Sequence, residues 1–324
     1  MSAVSEPLVL GTRGSDLALR QANSVRSRLE AAGYRATLTT ISTRGDESTD
    51  TPISEIGDEA VFTKELDRAL LQGDVDLAVH SLKDIPSRVP SGIALAAIGE
   101  REDPRDAFVA HPSFEGHLHD LPQGAPVATA SLRRTAQLQA WRPDLEVVPV
   151  RGNVDSRLEK LRRSDWAGMV LAVAGLVRLG LSMHIRDRID PVRMIPAVGQ
   201  GALGIACHED NDALRRLLAE TLHHDASGFA ATAERAFLRE VGGGCQVPLG
   251  AWAHLEEEAL VLDACIAALD GEEYYRHQRR CAPDEGEDTG RDLARDLLER
   301  GGDHILDEVL GDRRHEPSGS PFNA

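Results

Sequence analysis

Short apolar runs alternate with helical patterns over most of the first 200 residues, and this alternation limits the possible folds more than any other feature. The runs at residues 8–10, 75–79 and 169–173 have the length of buried strands. Strands that alternate with helices are typical of parallel sheets covered by helices. A charged, proline-containing stretch at residues 101–105 separates two such series. We therefore expect an α/β protein with two doubly wound units.

The last third of the chain has a different order of elements. Three strand-like runs follow one another at residues 249–254, 260–268 and 273–279. Helical patterns at residues 228–241 and 289–310 flank these runs. Consecutive strands between helices predict a small third domain of the α+β class with a three-stranded sheet.

The charge of the chain limits its partners and its location. There are 53 acidic residues against 36 Lys and Arg, and only three of the latter are lysines. This balance argues against binding nucleic acid and resembles the surfaces of proteins from salt-loaded cytoplasm. No apolar run approaches the roughly 20 residues of a membrane span, and residues 1–7 lack the features of a signal peptide. We expect a cytoplasmic protein that does not bind membranes.

Arginine and serine side chains recur where a predicted strand ends and a helix begins. A helix N-terminus carries partial positive charge, so an arginine there is favoured when an external anion neutralises it. The pattern therefore predicts a cleft for carboxylates or phosphates, although surface arginines paired with the many acids would give the same sequence. The residues are Arg13, Ser15, Ser131, Arg133, Arg134, Arg151 and Arg157.

Two further residues suggest chemistry. Asp84 follows a buried strand and precedes a proline, so it is either a turn-capping residue or a carboxylate that can stabilise a cation or move a proton. Cys245 follows three glycines, which suits an attachment point or a nucleophile better than a core position. The His117-x-His119 pair lacks an accompanying ligand motif, so we expect no metal site.

Together these segments resemble the hydroxymethylbilane synthase family, also called porphobilinogen deaminases, from about residue 8 to residue 310. The motifs occur in the family's order. They are GTRGS (11–15), STRGD (42–46), FTKEL (62–66), HSLKDIP (80–86), SLRR (131–134), RGNV (151–154), LAVAGL (171–176), PAVGQGA (196–202) and GGC (243–245).

The resemblance implies a transferase of porphyrin and haem biosynthesis. Enzymes of this family join four porphobilinogen molecules head to tail into the linear tetrapyrrole hydroxymethylbilane and release ammonia at each step. The growing oligopyrrole is built on a dipyrromethane cofactor, which a thioether would attach here to Cys245. The acid at the position of Asp84 would assist the loss of ammonia and stabilise the azafulvene cation.

The resemblance also implies a binding set and a domain plan. The first two domains, residues 6–101 plus 202–219 and residues 106–197, would resemble type II periplasmic binding proteins. The third, residues 224–311, would carry the cofactor cysteine, and the protein would be a monomer. The substrate- and cofactor-binding residues would be Arg13, Ser15, Ser81, Lys83, Thr129, Ser131, Arg133, Arg134, Arg151, Arg157 and Arg178.

The chain departs from the family at a few positions, and other functions remain open. Glu55 and Glu59 stand where many members carry lysines, which puts the role of residues 46–59 in doubt, and Ser156 replaces a common threonine. A two-domain receptor for small anions would explain the arginines but not Asp84 or Cys245. A thiol hydrolase would use Cys245 as its nucleophile.

Overall fold

Three β-sheets organise the part of the chain that the computed structural model describes, which is residues 6–43, 63–242 and 247–311. In chain order, the strands are β1 (Leu8–Thr12), β2 (Ala36–Thr40), β3 (Leu77–Ser81), β4 (Ile93–Ile98), β5 (Asp106–Ala110), β6 (Pro126–Ala128), β7 (Glu146–Val148), β8 (Gly168–Ala172), β9 (Asp187–Ile189), β10 (Leu203–His208), β11 (Leu249–Glu256), β12 (Ala259–Ala267) and β13 (Tyr274–Cys281).

Helices cover these sheets. They are α1 (Asp16–Ala31), α2 (Lys64–Gln72), α3 (Leu132–Trp141), α4 (Val154–Arg163), α5 (Val173–Arg178), α6 (Asp212–Leu222), α7 (Asp225–Val241), α8 (Gly286–Leu297) and α9 (Asp303–Leu310). Within the described ranges no helix is long and apolar enough to cross a membrane.

The first sheet has the strand order β2-β1-β3-β10-β4. Strand β1 pairs in parallel with β2 and β3, whereas β10 runs antiparallel to both β3 and β4. Leu10 and Leu77 from the sheet are fully buried beside Leu29 of α1 and Leu218 of α6. Burial of apolar side chains on this scale is the main source of stability in such a layer.

The second sheet repeats this plan with the order β7-β6-β8-β5-β9. Strand β6 pairs in parallel with β7 and β8, and β5 runs antiparallel to β8 and β9. The chain enters β10 of the first sheet directly from the second sheet, and it enters β5 of the second sheet directly from the first. The chain crosses to the second sheet between β4 and β5 and returns between β9 and β10. These two connections, residues 99–105 and 190–202, are called the crossing segments below.

The third sheet is antiparallel, with the order β11-β12-β13, and packs against α7 and α8. Phe237 of α7 and Leu293 of α8 are fully buried in its core. The two helices approach closely at Gly290, where a β-carbon would lie 2.3 Å from the carbonyl oxygen of Ala233. A glycine is required at this contact because any side chain would collide with the helix backbone.

The predicted fold class is confirmed, since two mixed α/β sheets precede a small three-stranded sheet with helices. One detail was wrong, because the final helix is not continuous. A π-helical turn at Leu298–Gly302, with Gly301 at a φ of 120°, separates α8 from α9. Such a turn is a known cause of kinks, and the periodicity of the sequence does not reveal it. The domain bounds given above remain a prediction.

Candidate active site

The predicted site residues lie where strands end in the first two sheets. Arg13 follows β1, Ser81 ends β3 and Thr129 follows β6. Arg151 follows β7, and Arg178 ends the helix after β8. Carboxyl ends of parallel strands open to one edge of a sheet, which is the usual position of ligand sites in α/β proteins.

Lys83 and Asp84 lie in a short 3₁₀ turn, Leu82–Asp84, directly after β3. The buried Leu82 side chain anchors this turn in the core. Burial lowers the pKa of Lys83 to about 8, with a further contribution from the nearby positive charge of Arg134. Asp84 is half-buried, and its carboxylate makes no hydrogen bond to the described residues. The turn therefore presents a carboxylate that can still contact a ligand.

Asp106, the first residue of β5, is fully buried and binds both arginines at the start of α3. Its carboxylate accepts hydrogen bonds from Arg133 Nη1 at 2.7 Å and from Arg134 Nε and Nη2 at 2.9 and 2.7 Å. Burial alone would raise the pKa of Asp106, but the charges of the two arginines outweigh it and lower that pKa. Asp106 thus neutralises part of the charge of the two arginines from within the protein, in addition to any ligand.

Arg157 in α4 lies close to Arg134 and Arg151. Burial, followed by the charges of these two neighbours, lowers the pKa of Arg157 to about 10. Its Nε donates to the carbonyl oxygen of Gly152 at 2.7 Å. Nη1 of Arg151 is buried and has no hydrogen-bond partner among the described residues. A buried donor without an acceptor is costly, so these arginines are suited to an anionic ligand.

Arg178 and Arg13 contact other parts of the protein. Arg178 donates from Nη2 to the carbonyl oxygen of Gly201 at 2.6 Å, and burial lowers its pKa while Glu102 opposes the shift. Arg13 lies near the buried His80, whose pKa is lowered to about 4 by burial and by the charge of Arg13. His80 is therefore a neutral core residue at physiological pH.

Four hydroxyl groups at the strand ends already accept hydrogen bonds. Ser15 and Ser131 cap helices by accepting from the amides of Ala18 and Arg134 at 3.4 Å. Oγ1 of Thr129 accepts from the Ser131 amide at 3.2 Å, and Oγ of Ser81 accepts from Gln21 Nε2 at 2.9 Å. Because each hydroxyl acts as an acceptor in these bonds, its hydrogen can be donated to a carboxylate.

Cys245 lies outside the described residues, but the helix that leads to it is well defined. Helix α7 ends at Val241, where Gly242 adopts a left-handed conformation with a φ of 74°. Glu234 in this helix is fully buried and accepts from Arg101 Nη1 at 2.5 Å. It also accepts from the amides of Gly199 and Ala253 at 2.6 and 2.8 Å. Glu234 therefore ties α7 to both crossing segments.

Sequence reasoning missed four connecting residues: the buried Asp106, Gln200 and Glu234, and the partly buried Arg101. Arg101 and Asp106 bracket the charged stretch that separates the two series of strands, and Gln200 lies between two glycines in the 196–202 motif. For these three residues, their position in the sequence was the signal that could have indicated a connecting role. The His117 side chain, considered as a metal ligand, instead lies 2.5 Å from Asp187 Oδ1 and stacks on the His119 ring.

The fold and the site define a class: an α/β protein with two linked units, clustered cationic side chains at the ends of their strands, and an appended α+β unit. The model for the dipyrromethane-cofactor-binding domain of porphobilinogen deaminase matches residues 8–216, and the model for its C-terminal domain matches residues 229–299. The chain belongs to the porphobilinogen deaminase family, which consists of transferases that use a dipyrromethane cofactor.

Curated relatives agree over nearly the whole chain. Porphobilinogen deaminase of Syntrophomonas wolfei is 48% identical over 93% of this chain and 98% of its own. The enzyme of Roseiflexus sp. is 48% identical over 94% of this chain and 99% of its own. The enzyme of Syntrophobacter fumaroxidans is 43% identical over 93% of this chain and 97% of its own. Among solved structures, the periplasmic aliphatic sulphonate binding protein of Escherichia coli has a TM-score of 0.40 at 13% identity over 72% of this chain and 70% of that one.

Proposed function

We propose that this chain condenses four porphobilinogen molecules into hydroxymethylbilane and releases one ammonia for each molecule added. The observation that carries the proposal is the group formed by Arg134, Arg151 and Arg157. It contains a lowered arginine pKa and a buried donor that lacks a partner among the described residues. Porphobilinogen and its oligomers carry an acetate and a propionate on each ring, and such carboxylates match arginine donors.

The dipyrromethane cofactor carries the same carboxylates, so the residues at hand suit it. Arg151 and Arg157 would hold its side chains, and Cys245 would form the thioether. When bound, the cofactor supplies the pyrrole position from which the chain is extended. Helix α7, held by Glu234, would present the cysteine from the third sheet's unit.

Asp84 would act on the reacting ring. When the C–N bond of the protonated aminomethyl group breaks, ammonia leaves with the bonding electrons and the substrate remains as a cation. A carboxylate held beside that cation stabilises it. Formation of the C–C bond then requires loss of the proton from the attacked pyrrole carbon, and Asp84 can accept this proton. Water adds when the completed tetrapyrrole is released.

The other predicted residues would bind carboxylates along the cleft. Arg13, Ser15, Ser81 and Lys83 would act from the first sheet. From the second sheet we assign Thr129, Ser131, Arg133, Arg134 and Arg178 to this role. Arg133 and Arg134 would do so while Asp106 holds them, so they contribute their remaining donors and a reduced net charge. We also propose the three domains as predicted, a monomer, and a cytoplasmic location.

Intact mass tests this function most directly. Wild-type protein expressed where porphobilinogen is present is expected to exceed its polypeptide mass by two pyrrole units, whereas the Cys245→Ser variant should not. The wild type should also release ammonia from porphobilinogen. A bare polypeptide mass together with tight binding of porphobilinogen but no ammonia would instead support a receptor for small anions.

A further inference from the structure

The side chain of Gln200 has an orientation that its partners determine. It lies in the second crossing segment and is 1% exposed. Its Nε2 donates to the carbonyl oxygen of Pro104 at 2.7 Å and to Asp106 Oδ1 at 3.0 Å. Both partners can only accept in this arrangement, so Nε2 must face them. The opposite atom, Oε1, therefore faces Lys83 Nζ at 3.3 Å.

Gln200 thus connects polar groups of the first two sheets. Lys83 belongs to the turn after β3 in the first sheet, while Asp106 begins β5 in the second. Asp106 in turn holds Arg133 and Arg134. The backbone of Gln200 is also fixed, because its carbonyl oxygen accepts from Arg101 Nε at 2.8 Å. A side chain held at both ends in this way does not adapt freely to a ligand.

We propose that Gln200 is a positioning residue, which orients the Lys83 ammonium toward substrate carboxylates and keeps it protonated by accepting one of its hydrogens. Among the described residues, the charged groups that most affect the pKa of Lys83 are Arg134, Asp84, Asp106 and Arg133. The two arginines and burial favour the neutral amine, whereas the two aspartates favour the ammonium, and the net effect lowers the pKa of Lys83. A neutral acceptor in hydrogen-bond contact opposes that tendency without adding a charge that would repel carboxylates. The functional part of this inference rests on the carboxylate-binding role proposed for Lys83.

The composition makes a direct test possible, because the chain has only three lysines: Lys64, Lys83 and Lys160. Full-length holoenzyme labelled with ¹³C-lysine should give three ε-methylene signals, and Lys83→Arg identifies the one from Lys83. We expect Gln200→Leu to lower the titration midpoint of Lys83 by about one pH unit, since the acceptor is lost. Gln200→Glu should raise the midpoint by about the same amount.

A matched control is Gln139→Leu, which removes a glutamine that donates to the carbonyl oxygen of Leu145 instead. This variant should leave the Lys83 midpoint unchanged. An unchanged midpoint in the Gln200 variants would overturn the proposal. Loosening of the structure would expose Lys83 and raise its midpoint, so the fall expected for Gln200→Leu cannot arise from a general loss of packing. If Gln200→Leu does not fold, Gln200→Met, which keeps the length of the side chain, should give the same fall.

Kinetics test the link to the reaction. Gln200→Leu should raise KM for porphobilinogen about tenfold and change kcat less, since carboxylate binding is affected. In a Lys83→Met background the same substitution should have little further effect, because the two residues act as a unit. A full additional rise in KM there would contradict the proposal. If Lys83→Met alone leaves KM unchanged, Lys83 does not bind substrate carboxylates. The titration of Lys83 in the Gln200 variants then still tests whether Gln200 affects the protonation of Lys83.

Discussion

Glu234 binds the guanidinium of Arg101 through both oxygens, at 2.5 and 3.2 Å, and so joins helix α7 to the segment that enters the second sheet. The Glu234 side chain is inaccessible to solvent, and that of Arg101 is 11% exposed. A buried ion pair of this kind contributes little compared with apolar packing, but loss of one partner leaves the other charge without compensation.

Glu234→Ala is therefore expected to destabilise the protein by about 3–5 kcal/mol. The change leaves the Arg101 guanidinium and the amides of Gly199 and Ala253 without their acceptor. The urea dependence of circular dichroism measures this effect. The control is Glu240→Ala in the same helix, which loses only an exposed pair with Arg295 and should change stability by less than about 1 kcal/mol. Equal midpoints for the two variants would contradict the prediction.

Asp84→Asn is expected to lower kcat by about 100-fold or more, because an amide neither accepts a proton nor stabilises a cation as a carboxylate does. Intact mass should show that the variant still carries its cofactor. Asp165→Asn, at an exposed position, should retain wild-type kcat. A variant at position 84 with undiminished ammonia release would remove Asp84 from the mechanism.

Arg157→Met should weaken binding of porphobilinogen at least tenfold and yet stabilise the protein that lacks cofactor. The physical reason is that burial, followed by the like charges of Arg134 and Arg151, disfavours the charged form of Arg157 and lowers its pKa. Thermal unfolding in the Cys245→Ser background measures the stability. Arg163→Met changes an arginine at the exposed end of the same helix and should alter neither property. A lower Tm for Arg157→Met would show that this arginine stabilises the protein without an anion.

Asp67 in α2 predicts a pH dependence of stability. Burial, with a smaller contribution from Glu65, raises its pKa to about 6, although a hydrogen bond from Thr63 opposes the shift. The folded state therefore binds this proton more tightly than the unfolded state, and stability falls as pH rises from about 4 through 6. Asp67→Asn should raise the unfolding free energy by about 1–2 kcal/mol at pH 8 and change it little at pH 4. A pH-independent difference would exclude this cause.

The formal net charge of −17 predicts a dependence on salt. Repulsion among surface acids destabilises the folded state, and salt screens it. We expect the thermal midpoint to rise between 0.1 and 2 M KCl, as measured by calorimetry. A midpoint indifferent to KCl would show that the acidic surface does not govern stability. A parallel measurement in an uncharged osmolyte of equal osmolality separates two effects of KCl. One is the screening of charge repulsion, and the other is the exclusion of solute from the protein surface.

Much of the site could be predicted because its signals are local. Asp84 and Arg151 each stand three residues after a strand end, and a parallel sheet places such ends together. The fold class followed from the same alternation. These inferences need only the period of the apolar residues and the position of the breaks between elements.

The connecting residues could not be found in this way, because their partners are distant in sequence. Gln200 lies 117 residues from Lys83, and Glu234 lies 133 residues from Arg101. The arginine pair shows the same limit. Its position at a helix start predicted an external anion, whereas Asp106, 27 residues before Arg133, already supplies one inside the protein. The local sequence pattern around an arginine does not show whether its partner is the carboxylate of a ligand or that of a buried aspartate.

The exchange of strands between the first two sheets also determines when, during synthesis, the turn that carries Asp84 gains its neighbouring strand. Strand β3, which leads into Asp84, pairs with β10 along its length. Strand β10 ends at His208, so this edge of β3 stays unpaired until the ribosome has released more than 120 further residues. A nascent or truncated chain that ends before β10 leaves the turn without its neighbouring strand. A chain that has gained this strand has therefore already completed the second sheet, which carries five of the six arginines predicted to bind the ligand.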